Sequence, residues 1–177
     1  MRAFIAGLLL FPAVGLPGEI IESSVSVDDG VFTISVDAHI NASPQAVYRH
    51  ITDYSNLPLL NPSIRESRVT HTFSPARHRV RTVMRACILF FCRSILQVQD
   101  ITQHGGDRVS ARMVPGLSDF RQGQADWLLT ASGEFTTMHF SAELEPDFWV
   151  PPVIGPWLFK RKVIRELLIS AAYMESM

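Results

Sequence analysis

The side chains of this sequence that are suited to acid–base chemistry do not form a recognisable catalytic motif. A general acid or base has to sit in a pocket that tunes its pKa, and the residues that we would place in that role are His71, Tyr54 and Arg112. The sequence contains no nucleophile elbow, no glycine-rich phosphate loop and no His-Glu-x-x-His segment. We therefore assign no catalytic residue and keep an enzyme as the alternative function.

The histidines also lack the spacing of a metal site. The six are His39, His50, His71, His78, His104 and His139. None is spaced from another as zinc ligands are, so we expect no metal and no other cofactor. His39 and His139 fall on the polar side of alternating segments, which predicts that both face solvent.

The two cysteines, Cys87 and Cys92, predict a disulfide, because exported proteins keep such pairs oxidised. They have no partner Cys or His pair of the kind that a zinc site needs. The residues between them are apolar, which is unusual at a hairpin turn. If the cysteines pair directly, Leu89 and Phe90 project outward at a tip that would enter a membrane or bind a partner.

The pairing register near the cysteines is open at this point. Direct pairing of Cys87 with Cys92 places Leu96 and Val98 on the same face as a row of arginines. Either a bulge shifts the register, or the apolar run continues a buried strand.

That row of arginines lies in one segment. Its members are Arg77, Arg79, Arg81 and Arg85, which share one parity, while Val80, Thr82, Met84 and Ala86 share the other. We interpret the basic side as a solvated outer face of a sheet. The functional alternative is contact with anionic headgroups, worth about 1 kcal/mol per basic residue.

The first 18 residues have the layout of a secretory signal. Arg2 precedes an apolar stretch that ends at Phe11, and small residues follow. We expect cleavage after Gly15 or Gly18 and a periplasmic or secreted protein, with retention of residues 1–18 as a membrane anchor as the alternative. No apolar run in the chain reaches the roughly 18 to 20 residues that a membrane-spanning helix requires.

The rest of the chain, residues 19–177, reads as one domain. Residues 19–30 are polar and end in a turn at Asp28-Asp29-Gly30, and residues 32–40 alternate as a half-buried strand. A short helix begins with Ser43 as its N-cap and Pro44 at its first position, and it stops near Asp53. Pro58 and Pro62 leave at most one helical turn between them.

A run of six strands from about residue 64 to residue 145 comes next, and a helix from about Pro152 to Glu175 closes the chain. The segments 123–129 and 138–144 each have one apolar face, which predicts adjacent antiparallel strands. The predicted fold is α+β, with a curved antiparallel sheet of about seven strands wrapped around the long C-terminal helix. The hydrophobic fraction of 47% predicts a packed core, and the net charge of −1 argues against nucleic-acid binding.

Three segments resemble the START-like (SRPBCC) superfamily, which includes polyketide cyclases/dehydrases and coenzyme-Q-binding and lipid-transfer proteins. The segments are Ile40–Tyr48, Thr52–Pro58 with Asn61-Pro62, and Gly155–Leu158 before the long helix. The resemblance covers roughly residues 30–177. It implies a helix-grip fold in which the long helix and the sheet enclose a hydrophobic cavity, and such proteins include both carriers and enzymes.

The function expected from this resemblance is non-enzymatic binding, and transfer, of a lipid, quinone or polyketide-like molecule. The apolar residues that would line the cavity are Val36, Ala38, Trp127, Leu129, Met138, Phe140, Trp157, Ile164 and Leu168. Polar contacts would come from Tyr54, His71, Arg112 and Lys160, the last of which projects near the centre of the helix's apolar arc. The same apolar pattern also fits a closed core, as in an interaction module without a ligand.

Overall fold

An eight-stranded antiparallel sheet and three helices make up the part of the chain that the structure, a computed structural model, describes: residues 18–88, 91–150 and 155–177. The strands are β1 (Glu19–Asp28), β2 (Val31–Ile40), β3 (Ile64–Ser74), β4 (Arg77–Ile88), β5 (Phe91–His104), β6 (Arg108–Met113), β7 (Phe120–Ser132) and β8 (Phe135–Pro146). The helices are α1 (Pro44–Thr52), α2 (Leu57–Leu60) and α3 (Gly155–Glu175). We predicted a signal over residues 1–18. Residues 1–17 lie outside the described part.

The strands follow the order β1-β2-β8-β7-β6-β5-β4-β3 across the sheet, and all neighbours are antiparallel. The pairing of β7 with β8 runs from Phe120 opposite Pro146 to Ser132 opposite Phe135, and it places Gly123 opposite Leu144 and Leu129 opposite Met138. This confirms that the two alternating segments are adjacent and share one apolar face. The helix-grip architecture is likewise confirmed, with one strand more than predicted.

The extra strand is β1, in the segment that we described only as polar and ending in a turn. It pairs with β2 through a two-residue turn in which Asp29 and Gly30 have φ values of 45° and 82°. Positive φ at both central positions is the type I′ arrangement that Asp-Gly favours in hairpins. The Asp29-Gly30 pair was therefore the signal for β1. No side chain of β1 is fully buried, because β1 lies at the edge of the sheet.

The short helices begin and end where the sequence predicts. The Ser43 hydroxyl accepts a hydrogen bond from the Ala46 N–H at 3.3 Å, Pro44 occupies the first turn, and α1 ends at Thr52. The single turn of α2 follows. The described part of α3 begins at Gly155, whereas the predicted start at Pro152 lies among residues 151–154, which the structure does not describe.

All three helices pack on one face of the sheet, which we call the inner face; the opposite face is the outer face. Helix α3 lies against β1 and β2 and also contacts α1 and α2. Its residues Ala171 and Met174 are buried with Ala38 and Met138 of the sheet. The inner face is thus covered by α3 along β1 and β2, and by α1 and α2 near the ends of β3, β7 and β8.

One end of the sheet carries the cysteine pair, the Asp29-Gly30 turn and the segment 114–119; we call it the disulfide end. Backbone hydrogen bonds join its loops, from Asp147 N–H to the Asp119 carbonyl and from Asp119 N–H to the Leu96 carbonyl, both 2.9 Å long. Helix α3 begins near this end, where Phe159 lies 4.8 Å from Phe32 between ring centroids. Helix α1 begins shortly after the end of β2, at the end of the sheet opposite the disulfide.

Candidate functional site

The apolar wall of the inner face is built by β2, β8 and β7. Of the residues predicted to line a cavity, Val36, Ala38, Leu129 and Met138 lie here and are buried. Trp127 and Phe140 are half-buried beside them, with ring centroids 5.2 Å apart. Register places all of these side chains on one face, because antiparallel partners point to the same side of a sheet.

Trp127 occupies the centre of this wall. Its indole packs against all three buried clusters: that of α3 with Met138, that of Tyr54 with Val80, and that of Ile34 with Val36. The residue is therefore the point where the helix-covered half of the inner face meets the half beneath α1.

Helix α3 presents a narrower stripe to the sheet than its sequence predicts. Phe159, Val163 and Leu167 pack against the sheet cluster. Ile164 is half-buried, but the side chains of Leu168 and Trp157 are 39% and 62% exposed. We predicted that both residues line the cavity; the structure leaves them outside the stripe of α3 that packs on the sheet. A broad apolar arc on a helix has more residues than one sheet can cover, and the outermost members face solvent.

Lys160 reaches the edge of the sheet. Its ammonium donates a 2.9 Å hydrogen bond to the Ser23 carbonyl on β1. The methylene chain is half-buried while the charge lies at the edge strand, which is the snorkelling arrangement. The structure thus places the charge of Lys160 away from the apolar wall around Trp127.

Tyr54 is 5% exposed beneath α1, and its hydroxyl belongs to a polar network. The Gln103 amide donates a 2.9 Å hydrogen bond to the Tyr54 hydroxyl, and the Tyr48 hydroxyl donates to the Gln103 carbonyl oxygen at 3.4 Å. Burial raises the pKa of Tyr54, against a smaller lowering effect of the Gln103 hydrogen bond. The phenol is therefore neutral at physiological pH. Through Gln103 it contacts the end of β5 that lies far from the disulfide end.

Two predicted polar contacts, His71 and Arg112, lie on the outer face. His71 pairs with Arg79 across β3 and β4 and stacks on Phe73, with centroids 4.5 Å apart. Arg112 stands opposite Asp100 and lines an open recess of about 410 Å³. Their prediction as cavity residues is wrong, because strand parity places both on the side away from the helices.

The arginine row is on the outer face, as predicted, and acidic neighbours pair with part of it. Asp100 receives two hydrogen bonds from Arg79, the shorter 2.6 Å, and one from Arg77 at 3.3 Å. The hydrogen bonds from Arg79 lower the pKa of Asp100, and the positive charges of Arg79 and Arg77 act in the same direction. Partial burial opposes them, but the pKa still lies below its usual range. Arg81 pairs with Glu66 at 3.0 Å.

The disulfide between Cys87 and Cys92 is present. The two residues are direct partners in the β4–β5 register, and the pairing continues through Arg81 opposite Val98. The bulge that we considered is absent: the register is regular, and Leu96 and Val98 stay on the outer face. Leu89 and Phe90 lie outside the described residues.

Hydrogen bonds hold the segment 114–119 beside β5, next to Val98, which is buried although it lies on the outer face. The Ser118 hydroxyl accepts a hydrogen bond from the Val98 N–H at 2.9 Å and donates to the Val98 carbonyl at 3.0 Å. Asp119 accepts from the Leu96 N–H at 2.8 Å. This segment lies along β5, and Val98 is only 6% exposed.

The regular register moves two glutamines to the inner face, which sequence reasoning missed. Gln97 is opposite Thr82, and Gln99 is opposite Val80. Ser67 of β3 faces Thr82 from the other side, with hydroxyl oxygens 3.4 Å apart. We call Ser67, Thr82, Gln97 and Gln99 the inner polar row; direct pairing of the two cysteines was the signal that would have revealed it.

The polar flank of α3 faces the junction of α2 and β3. Glu166 accepts hydrogen bonds from Ser63 at 2.6 Å and from Lys162 at 2.9 Å. Burial acts to raise the pKa of Glu166, but these hydrogen bonds and the positive charge of Lys162 outweigh it, and the pKa lies below its usual value. The pair fastens the middle of α3 to the start of β3.

The disulfide end combines exposed apolar side chains with arginines. Trp149 is 79% exposed just after β8, and Leu117 is 50% exposed. Arg93 lies 4.7 Å above the Phe148 ring and forms a 3.7 Å ion pair with Asp119. The Arg161 guanidinium lies 5.5 Å from the Trp157 ring centroid.

Over residues 18–88, 91–150 and 155–177, no helix has the length and apolarity to cross a membrane. Within the same ranges, no three His, Cys, Asp or Glu side chains are grouped closely enough to hold a metal ion.

Comparison with known families identifies one match. The family described as polyketide cyclase / dehydrase and lipid transport matches residues 31–175. A comparison with curated proteins finds no match.

Solved structures share the fold at low sequence identity. A START superfamily protein from Mycobacterium smegmatis is 15% identical with a TM-score of 0.62, covering 81% of this chain and 94% of that protein. An aromatase/cyclase from Streptomyces sp. R1128 is 10% identical with a TM-score of 0.62, covering 82% and 92%. A STAR-related lipid transfer protein fragment from Xanthomonas axonopodis is 12% identical with a TM-score of 0.58, covering 87% and 97%.

Proposed function

The chain belongs to the polyketide cyclase / dehydrase and lipid transport family, and from this membership we propose that it binds a hydrophobic small molecule between the inner face and α3. The observation that carries the proposal is the wall around Trp127. It combines buried aliphatic side chains with two half-buried aromatic rings. Ligand sites are commonly concave and apolar, with a few polar groups that fix orientation.

The proposed ligand contacts come from the wall and from the facing side of α3. On the sheet they are Val36, Ala38, Trp127, Leu129, Met138 and Phe140. Ile164 would contribute from α3, and Tyr54 would close the space beneath α1. Five of the contacts that we predicted are left out of this proposed site because of the positions described above. They are Trp157, Leu168, Lys160, His71 and Arg112.

A blocked site tests this proposal. We expect Gln97→Trp to fill the space next to Thr82 and to reduce uptake of an apolar fluorescent probe at least tenfold. Thr33→Trp adds the same side chain on the outer face of β2, where Thr33 is exposed, and serves as the matched control. Equal uptake by both variants would contradict the proposal. Native mass spectrometry of protein purified without detergent, followed by extraction, would identify the bound molecule.

We propose binding and transfer without chemical conversion, and the alternative is an aromatase/cyclase-type enzyme. The inner polar row is made of neutral hydroxyl and amide groups, which suits recognition better than proton transfer, since general acids and bases need a pKa near the working pH. Incubation of the extracted molecule with fresh protein distinguishes the two. An unchanged mass and structure of that molecule is the expected result, and a new product would establish the enzyme.

The proposed location is the periplasm or the exterior of the cell. The disulfide supports it, because such bonds persist in oxidising compartments. N-terminal sequencing of the exported protein should give a start between Leu16 and Ile20. A soluble cytosolic protein that starts at Met1 would contradict it.

We also propose that the disulfide end contacts a membrane surface during transfer. Exposed tryptophans are typical of membrane–water interfaces, and Trp149 and Trp157 are both at this end and more than half exposed.

A further inference from the structure

The open recess of about 410 Å³ on the outer face lies across β4, β5 and β6. Thr102 and Ser110, which are direct partners in the sheet register, contribute short hydroxyl side chains to it. Arg77 stands opposite Thr102 on β4, and the partners Asp100 and Arg112 lie two residues further along β5 and β6. The recess therefore has hydroxyl groups between guanidinium groups on two sides.

Arg112 is the guanidinium of this recess that has no acidic partner within residues 18–88, 91–150 and 155–177. Asp100 is its neighbour in the register, but both oxygens of Asp100 are already engaged. Arg79 donates to them at 2.6 and 3.0 Å, and Arg77 donates to one of them at 3.3 Å. A guanidinium carries five N–H donors, so Arg112 can bind an anion that enters the recess.

The surroundings of the recess carry an excess of positive charge. Beyond Ser110, the carboxylate of Asp126 accepts two hydrogen bonds from Arg108, the shorter of them 2.7 Å long. Four guanidiniums therefore stand against two carboxylates around the recess: Arg77, Arg79, Arg108 and Arg112 against Asp100 and Asp126. A phosphate monoester above its second pKa of about 6 has close to two negative charges, which matches this excess.

The donors of the recess suit a phosphate group better than a carboxylate. Guanidinium groups bind phosphate oxygens through two parallel hydrogen bonds. Thr102 makes no side-chain hydrogen bond within the described ranges, and Ser110 shares one with His104 Nε2 at 2.8 Å. A phosphate monoester offers three free oxygens and a carboxylate only two, so the phosphate can engage both arginines and a hydroxyl together.

We propose that the outer-face recess binds the phosphate group of a phosphate monoester, with Arg77 and Arg112 holding its charge and Thr102 and Ser110 contacting its oxygens. This site lies on the side of the sheet away from the helices and does not depend on the proposed function. Arg77 precedes Cys87 by ten residues, or about 33 Å along β4. A bilayer at the disulfide end would not reach the recess, which favours a soluble phosphate ester over a headgroup of that bilayer.

A titration with phenyl phosphate tests the site. Nuclear magnetic resonance of the whole protein, labelled with nitrogen-15, follows the backbone amide signals of Thr102, Ser110 and Arg112 and gives the dissociation constant. The measurement is made at about pH 8, where phenyl phosphate is a dianion. We expect saturable shifts of these signals. Dimethyl phosphate, which has one charge and two free oxygens, should bind at least about tenfold more weakly, because it loses charge-assisted hydrogen bonds.

Two variants with the same change of charge separate a built site from a generally basic surface. Arg112→Gln should weaken phenyl phosphate binding by at least about tenfold, because the unpaired guanidinium is removed. Arg85→Gln is the matched control: Arg85 is on the same face, eight residues or about 26 Å along β4 from Arg77. Salt screens charges at that distance, so the control should bind within about twofold of the unaltered chain. Both side chains are exposed, so we expect both variants to fold.

Vesicles made of equal parts of phosphatidylcholine and phosphatidic acid distinguish the two sources of a phosphate monoester. Vesicle binding that is lost in Arg112→Gln would identify a lipid headgroup, whereas binding of phenyl phosphate alone would identify a soluble ester, and either result supports the site. Equal weakening by Arg112→Gln and Arg85→Gln would overturn it, because only the overall charge would then matter. Unsaturable binding of phenyl phosphate, or dimethyl phosphate binding as tightly, would also overturn it and would leave the proposed function untouched.

Discussion

The carboxylate of Glu175, at the end of α3, accepts a 2.9 Å hydrogen bond from the backbone N–H of Gly18, 157 positions earlier in the chain. Its second oxygen accepts from the Asn41 N–H at 2.7 Å. A side chain at position 18 would place its Cβ 2.7 Å from that of Ala171, so this close approach requires glycine. One carboxylate therefore fastens the start of β1 and the end of β2 to the last turn of α3.

Glu175→Ala should lower the free energy of unfolding by about 1.5 kcal/mol, because two backbone donors lose a charged acceptor. Urea unfolding followed by circular dichroism measures the change. Glu134→Ala is the control, since Glu134 is exposed in the β7–β8 turn. Equal stability of the two variants would show that the bridge contributes nothing.

Trp127→Ala should cost about 3 to 5 kcal/mol, because it leaves a cavity where three clusters meet. Trp157→Ala is the matched control, and at 62% exposure it should cost far less. Thermal or urea unfolding of both variants checks the difference. A larger loss for Trp157 than for Trp127 would contradict the described positions of the two rings.

The disulfide should contribute about 2 kcal/mol, because it closes only a short loop in the unfolded chain. Thiol titration of denatured, unreduced protein should find no free thiol. Cys87→Ser with Cys92→Ser should then fold with a modest decrease in stability. Complete unfolding of that variant would mean that the bond is essential to the sheet.

Asp100 should make stability depend on pH in the acid range. Its pKa is lower in the folded chain, so the Arg79 interaction stabilises the fold above the unfolded pKa of about 3.9 and is lost as pH falls through the folded pKa. Asp100→Asn should therefore be less stable than the unaltered chain at pH 7, and the difference should shrink below about pH 4. Urea unfolding between pH 2 and pH 7 measures both curves, and parallel curves would refute the expectation.

Trp149→Ala with Trp157→Ala should weaken binding to liposomes severalfold if the disulfide end contacts membranes, because interfacial tryptophans would be lost. The control is Phe135→Ala, an exposed aromatic at the opposite end of the sheet. Sedimentation with liposomes gives the bound fraction.

The companion change, Leu89→Asp with Phe90→Asp, should also weaken binding without unfolding the domain, and failure to fold would mean that those two residues belong to the core.

Much of the fold follows from the sequence, because alternation and capping act locally. Period-two patterns set the shared face of β7 and β8, and Ser43-Pro44 set the start of α1. The outer position of the arginine row follows in the same way, whereas the disulfide was expected from the export signal and the pair of cysteines. For the candidate site, this logic placed Val36, Ala38, Leu129 and Met138 on one buried face.

The tertiary structure decided how far each apolar face is covered and which polar residues turn inward. Trp157 and Leu168 belong to the apolar arc of α3, but the helix lies against β1 and β2 and leaves them exposed. Gln97 reaches the inner face because β4 and β5 pair without a shift from Cys87 and Cys92 onward. A periodic pattern determines which residues share a face, whereas pairing register and the extent of the covering helix depend on contacts between distant segments, which local periodicity does not encode.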